Sequence, residues 1–330
     1  MRGKHRQIDL GASLARVAAG GIPLRAEERL AEEAGPNRRL FTSDLSVSEF
    51  LLARDAGCDP ISQVMGSSIY HVGQIADYKG STGELTVISD AHRASRRLAL
   101  TRLAQEAALV GADAVIGAHL RDRMITMGAR GKGGDDGGEV LEFTVVGTAV
   151  RAPWITHPPG QPVITDLSGQ DLWALAQDGY EPCGFLFEFC RYHVFHVTQE
   201  TPSAGELGAA SNAVETARRI AADKMLAQAA HFGAEVVVGS DVKLKVREVP
   251  CGFEGCERND LDVDVSWFGT GVRRIPGHAS RTEAAMPPLI LSMMPLGRRP
   301  EATIEAEDDE DEIERAAEAA EEAALAAEEG

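Results

Sequence analysis

Apolar and polar positions follow one programme, and the chain runs through it twice. From about Ser89 to Val110, Leu98, Leu100, Leu103, Ala107 and Val110 trace a broad helical stripe, answered from Ser211 to Phe232 by Ile220, Ala222, Met225, Ala229 and Phe232. Ser89-Asp90 and Ser211-Asn212 are suited to cap these two long helices, and Gly111 and Gly233 to end them. Ahead of each helix lies a strand, Gln63 to Val72 and Phe185 to Val194. The second is apolar at nearly successive positions, which predicts a strand covered on both faces. Each unit closes with a hairpin. In the second, Val242, Leu244 and Val246 alternate with Lys243, Lys245 and Arg247, and Leu261, Val263, Val265 and Trp267 alternate with Asp262, Asp264 and Ser266. That alternation predicts one apolar face under a helix and one solvated face on which bases oppose acids. The first hairpin keeps Arg121, Arg123 and Glu142 at matching places.

Shorter helices open each unit. Ser46-x-x-Glu49 is a capping box, repeated as Ser168-x-x-Asp171, and Gly57 and Gly179 provide the stops. The pattern therefore reads α+β, with tandem β-α-β-β repeats, each a sheet with a long helix on one face.

The repetition is also literal. Gly111-Ala112-Asp113-Ala114-Val115-Ile116-Gly117 returns as Gly233-Ala234-Glu235-Val236-Val237-Val238-Gly239, 122 positions later. The same offset relates Asp44-Leu45-Ser46 to Asp166-Leu167-Ser168, Tyr70-His71-Val72 to Tyr192-His193-Val194, and Gly147-Thr148 to Gly269-Thr270, without a gap. A duplicated domain is the reading. It divides the chain into an N-terminal arm (1–43), a first repeat (44–151), a linker (152–165), a second repeat (166–275) and a disordered tail (276–330) with an apolar patch and an acidic end. Within the arm, Leu24 to Ala34 has the makings of a short helix.

Charge changes this picture little once it is located. The net charge is −18, but residues 301–330 hold 14 acids against the single base Arg315, leaving −5 for the rest. With no basic excess to release counterions, a nucleic-acid surface is disfavoured. No apolar run approaches membrane-span length, so the expectation is a cytoplasmic protein with no membrane partner. Five cysteines do not suit a disulfide framework.

The Tyr-His strand, the Arg-bearing helix, Gly-Ala-Asp-Ala-Val-Ile-Gly and the closing Gly-Thr-x-Val together resemble the YbjQ-like, heavy-metal-binding family, over about 63–151 and again over 185–273. That resemblance implies a dodecin-like β-α-β-β fold, assembly as a pentamer around a β-barrel, and a metal ion as ligand. The duplication, the two unlike hairpin tips and the acidic tail depart from the family pattern and leave the ring size open.

Candidate chemistry is sparse. Cys251-x4-Cys256 crosses a Gly-rich hairpin tip and can bring two thiolates onto Zn or another soft metal ion. Cys190 and His193 are an odd number of positions apart and point to opposite faces. Tyr70, His71, Tyr192 and His193 occupy matching places and are candidates for a pocket or subunit seam. Arg121, Arg123, Lys243, Lys245, Asp262 and Asp264 form a solvated face, or line a polar lumen if the units close into a ring. Gly128 to Gly138 lacks the Gly-Lys-Ser/Thr entry to a helix and reads as a loop tip rather than a phosphate cradle. No nucleophile elbow is present. Residues 286–299, Met-Pro-Pro-Leu-Ile-Leu-Ser-Met-Met-Pro-Leu-Gly-Arg-Arg, are similar to cargo-loading peptides of encapsulin shells and suit docking on a protein partner. The function expected is that of a non-enzymatic, ring-forming homo-oligomer serving as scaffold or binding protein. Soft-metal binding at the cysteine hairpin is one alternative, and an enzyme with His71 or His193 at a subunit seam is another.

Overall fold

Two four-stranded sheets and the long helix between them form the body of the protein. The structure, a computed structural model, describes residues 9–34, 42–72, 81–126, 139–195, 207–251 and 259–278. The chain divides into two units, Met1–Ala284 and Ala285–Gly330. The second unit lies outside the described residues, and with it the 286–299 segment and the acidic end. The Gly128–Gly138 tip and Cys256 lie outside them as well.

After α1 (Leu10–Ala18) and α2 (Leu24–Ala34) come α3 (Val47–Asp55), β1 (Asp59–Val72), β2 (Gly83–Glu84), α4 (Thr86–Leu109), β3 (Ala114–Thr126) and β4 (Glu139–Arg151). The remaining elements are β5 (Val163–Ile164), α5 (Gly169–Gln177), β6 (Tyr180–Val194), α6 (Gly208–Phe232), β7 (Val236–Pro250) and β8 (Asn259–Arg274). Sheet A has the order β1-β4-β3-β5 and sheet B the order β2-β6-β8-β7. The hairpins β3–β4 and β7–β8 are antiparallel, while β5 joins β3 in parallel. Both capping boxes form, Ser46 with Glu49 and Ser168 with Asp171. The segment 152–165, expected as a linker, supplies β5 and is thereby built into sheet A.

The long helices begin three residues before the Ser-Asp and Ser-Asn pairs that resemble caps. Leu85 and Leu207 hold the N-cap positions, with no side-chain cap. Ahead of α4, strand pairing takes over the capping role: β2 lies along β6, and the Leu85 amide donates to the Arg191 carbonyl at 2.9 Å. Ser89 is freed for another task, accepting the Arg191 amide at 3.0 Å. The helix ends follow the sequence reading, Gly233 closing α6 in the left-handed region with φ 69°.

Along β1, Pro60, Ser62, Val64, Gly66 and Ser68 are buried against α4, while Met65, Ile69 and His71 on the other face are exposed. Gly66 permits the close approach, since a Cβ there would run into the Ala99 carbonyl and come within 2.6 Å of the Leu103 nitrogen. The core on this side gathers Val64, Ala99, Leu103, Ala107, Phe143 and Val145, with Leu30 of α2 inserted from outside. Strand β6 is buried along almost all its length, as its apolar run predicts. Its two faces meet different partners: Leu186 and Cys190 pack under α6, against Met225 and Ala217, whereas Phe185, Phe187 and Phe189 meet Leu85 and Ile88 of α4. The layers thus run sheet A, α4, sheet B, α6.

A buried charged seam and two open concavities

Charged side chains fill the plane where α4 meets sheet B. The alternation along β8 suggests that Asp262 and Asp264 are solvated or line a lumen; the structure corrects this, placing them at 5% and 8% exposure. The reason is nonlocal. The sheet face that carries them is the one on which α4 of the first half lands.

Each of these buried carboxylates has a side-chain partner. Asp264 takes both Nε and Nη2 of Arg191, at 2.6 and 2.8 Å, and Arg247 Nη2 at 2.9 Å. This fork geometry suits a desolvated pair, in which every uncompensated charge costs heavily. His193, with no exposed surface, holds Asp262 Oδ1 through Nδ1 at 2.8 Å, and its Nε2 lies 3.4 Å from Asp260 Oδ2.

From the other side, α4 contributes Arg96 and His92. The Arg96 guanidinium lies over the Phe187 and Phe143 rings, at 3.7 and 4.6 Å from the centroids, with Asp122 at 3.3 Å. Burial pushes its pKa down to about 10, with Asp122 working against that. His92 stacks on Phe189, centroids 3.7 Å apart and planes 9° from parallel. Burial, and then the nearby Arg96, Arg191, Arg247 and Arg93, lower its pKa to about 2, so the ring is neutral.

At the rim, Arg93 joins the halves through Glu188 at 2.7 Å, and Glu84, held by Arg93 at 2.9 Å, joins them through Lys224 of α6 at 2.9 Å. Burial opposes the Glu84 carboxylate, but Lys224 and Arg93 outweigh it and hold its pKa below the usual range. None of Arg93, Arg96 and His92 stands out in the sequence, because only the docking of two halves gives them a role. Arg96 recurring as Arg218 was the available signal.

Two concavities adjoin this body. A cleft of about 1400 Å³ opens where α4 diverges from sheet B, lined by Leu100, Ala104, Phe185, Phe187 and Gln228. A second hollow of about 440 Å³ is bounded by Leu175 of α5, Tyr180, Val236, Val238 and Val272.

The candidates named from the sequence are scattered. Tyr70 and His71 are exposed at the edge of sheet A, whereas Tyr192 is half-buried toward α6 and His193 is fully buried toward α4. The two Tyr-His pairs therefore do not share a pocket. Arg121 and Arg123 are exposed on the outer face of sheet A, and Lys243 and Lys245 are exposed on β7. Cys190 and His193 face opposite ways.

A metal fits the described residues poorly. Among them no group of three or more His, Cys, Asp or Glu side chains is arranged to hold one. Burial raises the Cys58 thiol to about 11 and the Cys190 thiol to about 12, and raises Cys183 too, which disfavours the thiolate a metal requires. Cys251 is half-buried at the end of β7. Among the described residues no helix is long and apolar enough to cross a membrane.

Residues 62–153 match the protein family described as "Putative heavy-metal-binding" (YbjQ). A relative in Mycobacterium tuberculosis strain H37Rv, named "Encapsulin nanocompartment protein Rv1762c", is 34% identical over 223 residues, covering 65% of this chain and 80% of that protein. No solved structure gives a significant match.

Proposed function

Because this chain belongs to the YbjQ-like family and is 34% identical over 223 residues to an encapsulin nanocompartment protein, we propose that it is a non-enzymatic, self-assembling scaffold or binding protein. The observation that carries this reading is a pair of apolar surfaces left open, one on sheet A and one on sheet B. The outer face of sheet A shows Met65 at 49% and Ile69 at 76% exposure, and β7 at the edge of sheet B shows Val242, Leu244 and Val246 at 41–51%. Exposed apolar strand faces and edges invite pairing with another chain, and assembly is the usual way of covering them.

In this reading the halves 44–151 and 166–275 are tandem copies of one YbjQ-like module. The element order supports this, since α3 and α5 begin and end 122 positions apart and the order β1-β4-β3 is matched by β6-β8-β7. Arg121, Arg123, Lys243, Lys245, Tyr70 and His71 are then surface groups for a neighbouring chain or a lumen. Asp262, Asp264 and His193 pair within the second copy, and Arg93 with Glu188 and Lys224 with Glu84 join the two copies. The 286–299 segment is the proposed tether to a protein partner. Size-exclusion chromatography with light scattering tests the assembly: a particle of several chains is expected at micromolar concentration, and a monomer rejects the reading.

Soft-metal binding stands as the second reading, favoured by the family's description. Its site would be the Cys251–Cys256 hairpin, two ligands that a partner chain must supplement. Catalysis at His193 gains nothing from the structure, since that imidazole is enclosed by Asp260, Asp262 and α4.

A further inference from the structure

Within one chain, the junction between the halves is made of two parts. In the first, α4 lies on the Phe187 face of sheet B: Leu85 pairs with Arg191, Ser89 accepts the Arg191 amide, and Arg96 covers Phe187. In the second, β5 adds to the β3 edge, and Val163, Leu167 and Leu172 fill a core with Ala114, Ile116 and Val150.

Moving 122 positions along the sequence turns each part of this junction into an open surface. The residues of α4 that touch sheet B correspond to Leu207, Ser211 and Arg218 of α6, three identical residue types, and Ser211 and Arg218 are exposed. The Phe187 face of sheet B corresponds to the outer face of sheet A, where Met65 stands for Phe187, Ile69 for Arg191 and Glu142 for Asp264. Glu142 thus keeps the acid whose field supports Arg96, whereas Asp122, the acid that Arg96 bonds, is replaced by Leu244. The core filled by Leu172 in the first half corresponds, in the second, to the empty 440 Å³ hollow beside Val236 and Val238. The counterparts of Leu172 and Trp173 are Phe50 and Leu51 of α3, and Leu51 is 59% exposed.

We infer that the outward face of α6 on one chain seats on the outer face of sheet A of a second copy, while that copy's α3 enters the hollow beside β7. The contact repeats between chains the junction that already joins the halves within a chain. Both of its parts, helix on sheet and apolar side chains in hollow, call for the same neighbour in the same orientation. The contact is heterologous, one surface meeting a different one, so it propagates from chain to chain until the assembly closes. The occupant is another copy rather than a foreign helix because the helix already seated on such a face is this chain's own α4.

The inference rests on the self-assembling reading, and the test separates the two. In a Cys251→Ser, Cys256→Ser background, one full-length chain carries Ile69→Cys and another Ser211→Cys, the counterparts of Arg191 and Ser89. Mild oxidation of the mixture is expected to give a disulfide-linked pair, and neither chain alone should cross-link. In parallel, Ile69→Glu is expected to reduce the light-scattering mass to that of one chain while leaving the circular dichroism spectrum intact. Absence of the mixed cross-link in a sample that still forms an oligomer overturns the inference and leaves the assembly standing. Cross-linking within either chain alone, or an Ile69→Glu chain of undiminished mass, overturns it as well. A wild-type monomer removes both.

Discussion

The guanidinium of Arg96 lies 3.7 Å from the centroid of the Phe187 ring, a helix of the first half thereby setting a cation on a strand of the second. Arg96 is 1% exposed, and among the described residues its Nε and Nη1 have no hydrogen-bond partner. Its stability therefore depends on the aromatic faces of Phe187 and Phe143 and on Asp122 at 3.3 Å. Arg96→Ala empties this space and leaves Asp122 without its partner. The expected loss is about 3 kcal/mol, read as a lower urea midpoint. Arg96→Lys should recover only a fraction of it, because an ammonium cannot lie flat between two rings.

Asp264 gathers Arg191 and Arg247 in one buried place. Asp264→Ala leaves two desolvated cations facing each other, and a loss of about 3–5 kcal/mol is expected. Arg121→Ala on the open face of sheet A should change the unfolding of a single chain by less than about 0.5 kcal/mol. The two residues look equally solvated in the strand alternation, so denaturant titration of this pair of variants measures what the stacking of the halves adds.

That contrast marks what the sequence disclosed and what it did not. The 122-residue offset, the capping boxes, the glycine stops and the doubly covered strand are local patterns, and local patterns are written in residue spacing. Ser89-Asp90 has the chemistry of a cap and points to a late start for α4, while the real start is fixed by pairing between Leu85 and Arg191, 106 positions apart. The burial of Asp262 and Asp264 was invisible for the same reason. Alternation shows which residues share a face, but not whether a helix from another half lies on it.

His92 makes the seam sensitive to acid. Its folded pKa is lowered to about 2 by burial and by the surrounding arginines, against an ordinary value of 6.5. Between those values the unfolded chain binds a proton that the folded chain refuses, so stability falls as pH drops below about 6.5. At pH 5 this should amount to about 2 kcal/mol relative to neutral pH. His92→Phe, which retains a ring against Phe189, should flatten that part of the profile when urea midpoints are compared from pH 5 to pH 8. An unchanged slope would place the acid sensitivity elsewhere.

Gly66 admits α4 to the surface of sheet A. A methyl group there would meet the Ala99 carbonyl, which belongs to the helix backbone and cannot rotate away. Gly66→Ala should force β1 and α4 apart and cost about 3 kcal/mol. Its counterpart Glu188 lies on β6, where the Arg93 ion pair occupies the space. Thermal melts of Gly66→Ala beside Glu188→Gln distinguish a steric loss from an electrostatic one, because the Gln keeps the shape of Glu188 and removes only its charge.

Thiol chemistry decides how far the metal reading extends. Cys58, Cys183 and Cys190 are buried, and burial raises all three pKa values. The cysteine thiolate attacks a disulfide reagent and expels the reagent's thiolate, so these three should stay silent at pH 8 until the chain unfolds. Any fast reaction of the folded protein is then expected from Cys251 and Cys256, and Cys251→Ser with Cys256→Ser should remove it. If those two cysteines also hold a soft metal, zinc added in stoichiometric amount should slow their modification by the reagent. The same double variant should then show no stoichiometric zinc uptake by calorimetry. Uptake that persists in the variant would exclude the hairpin, because the buried thiols cannot supply thiolates in its place.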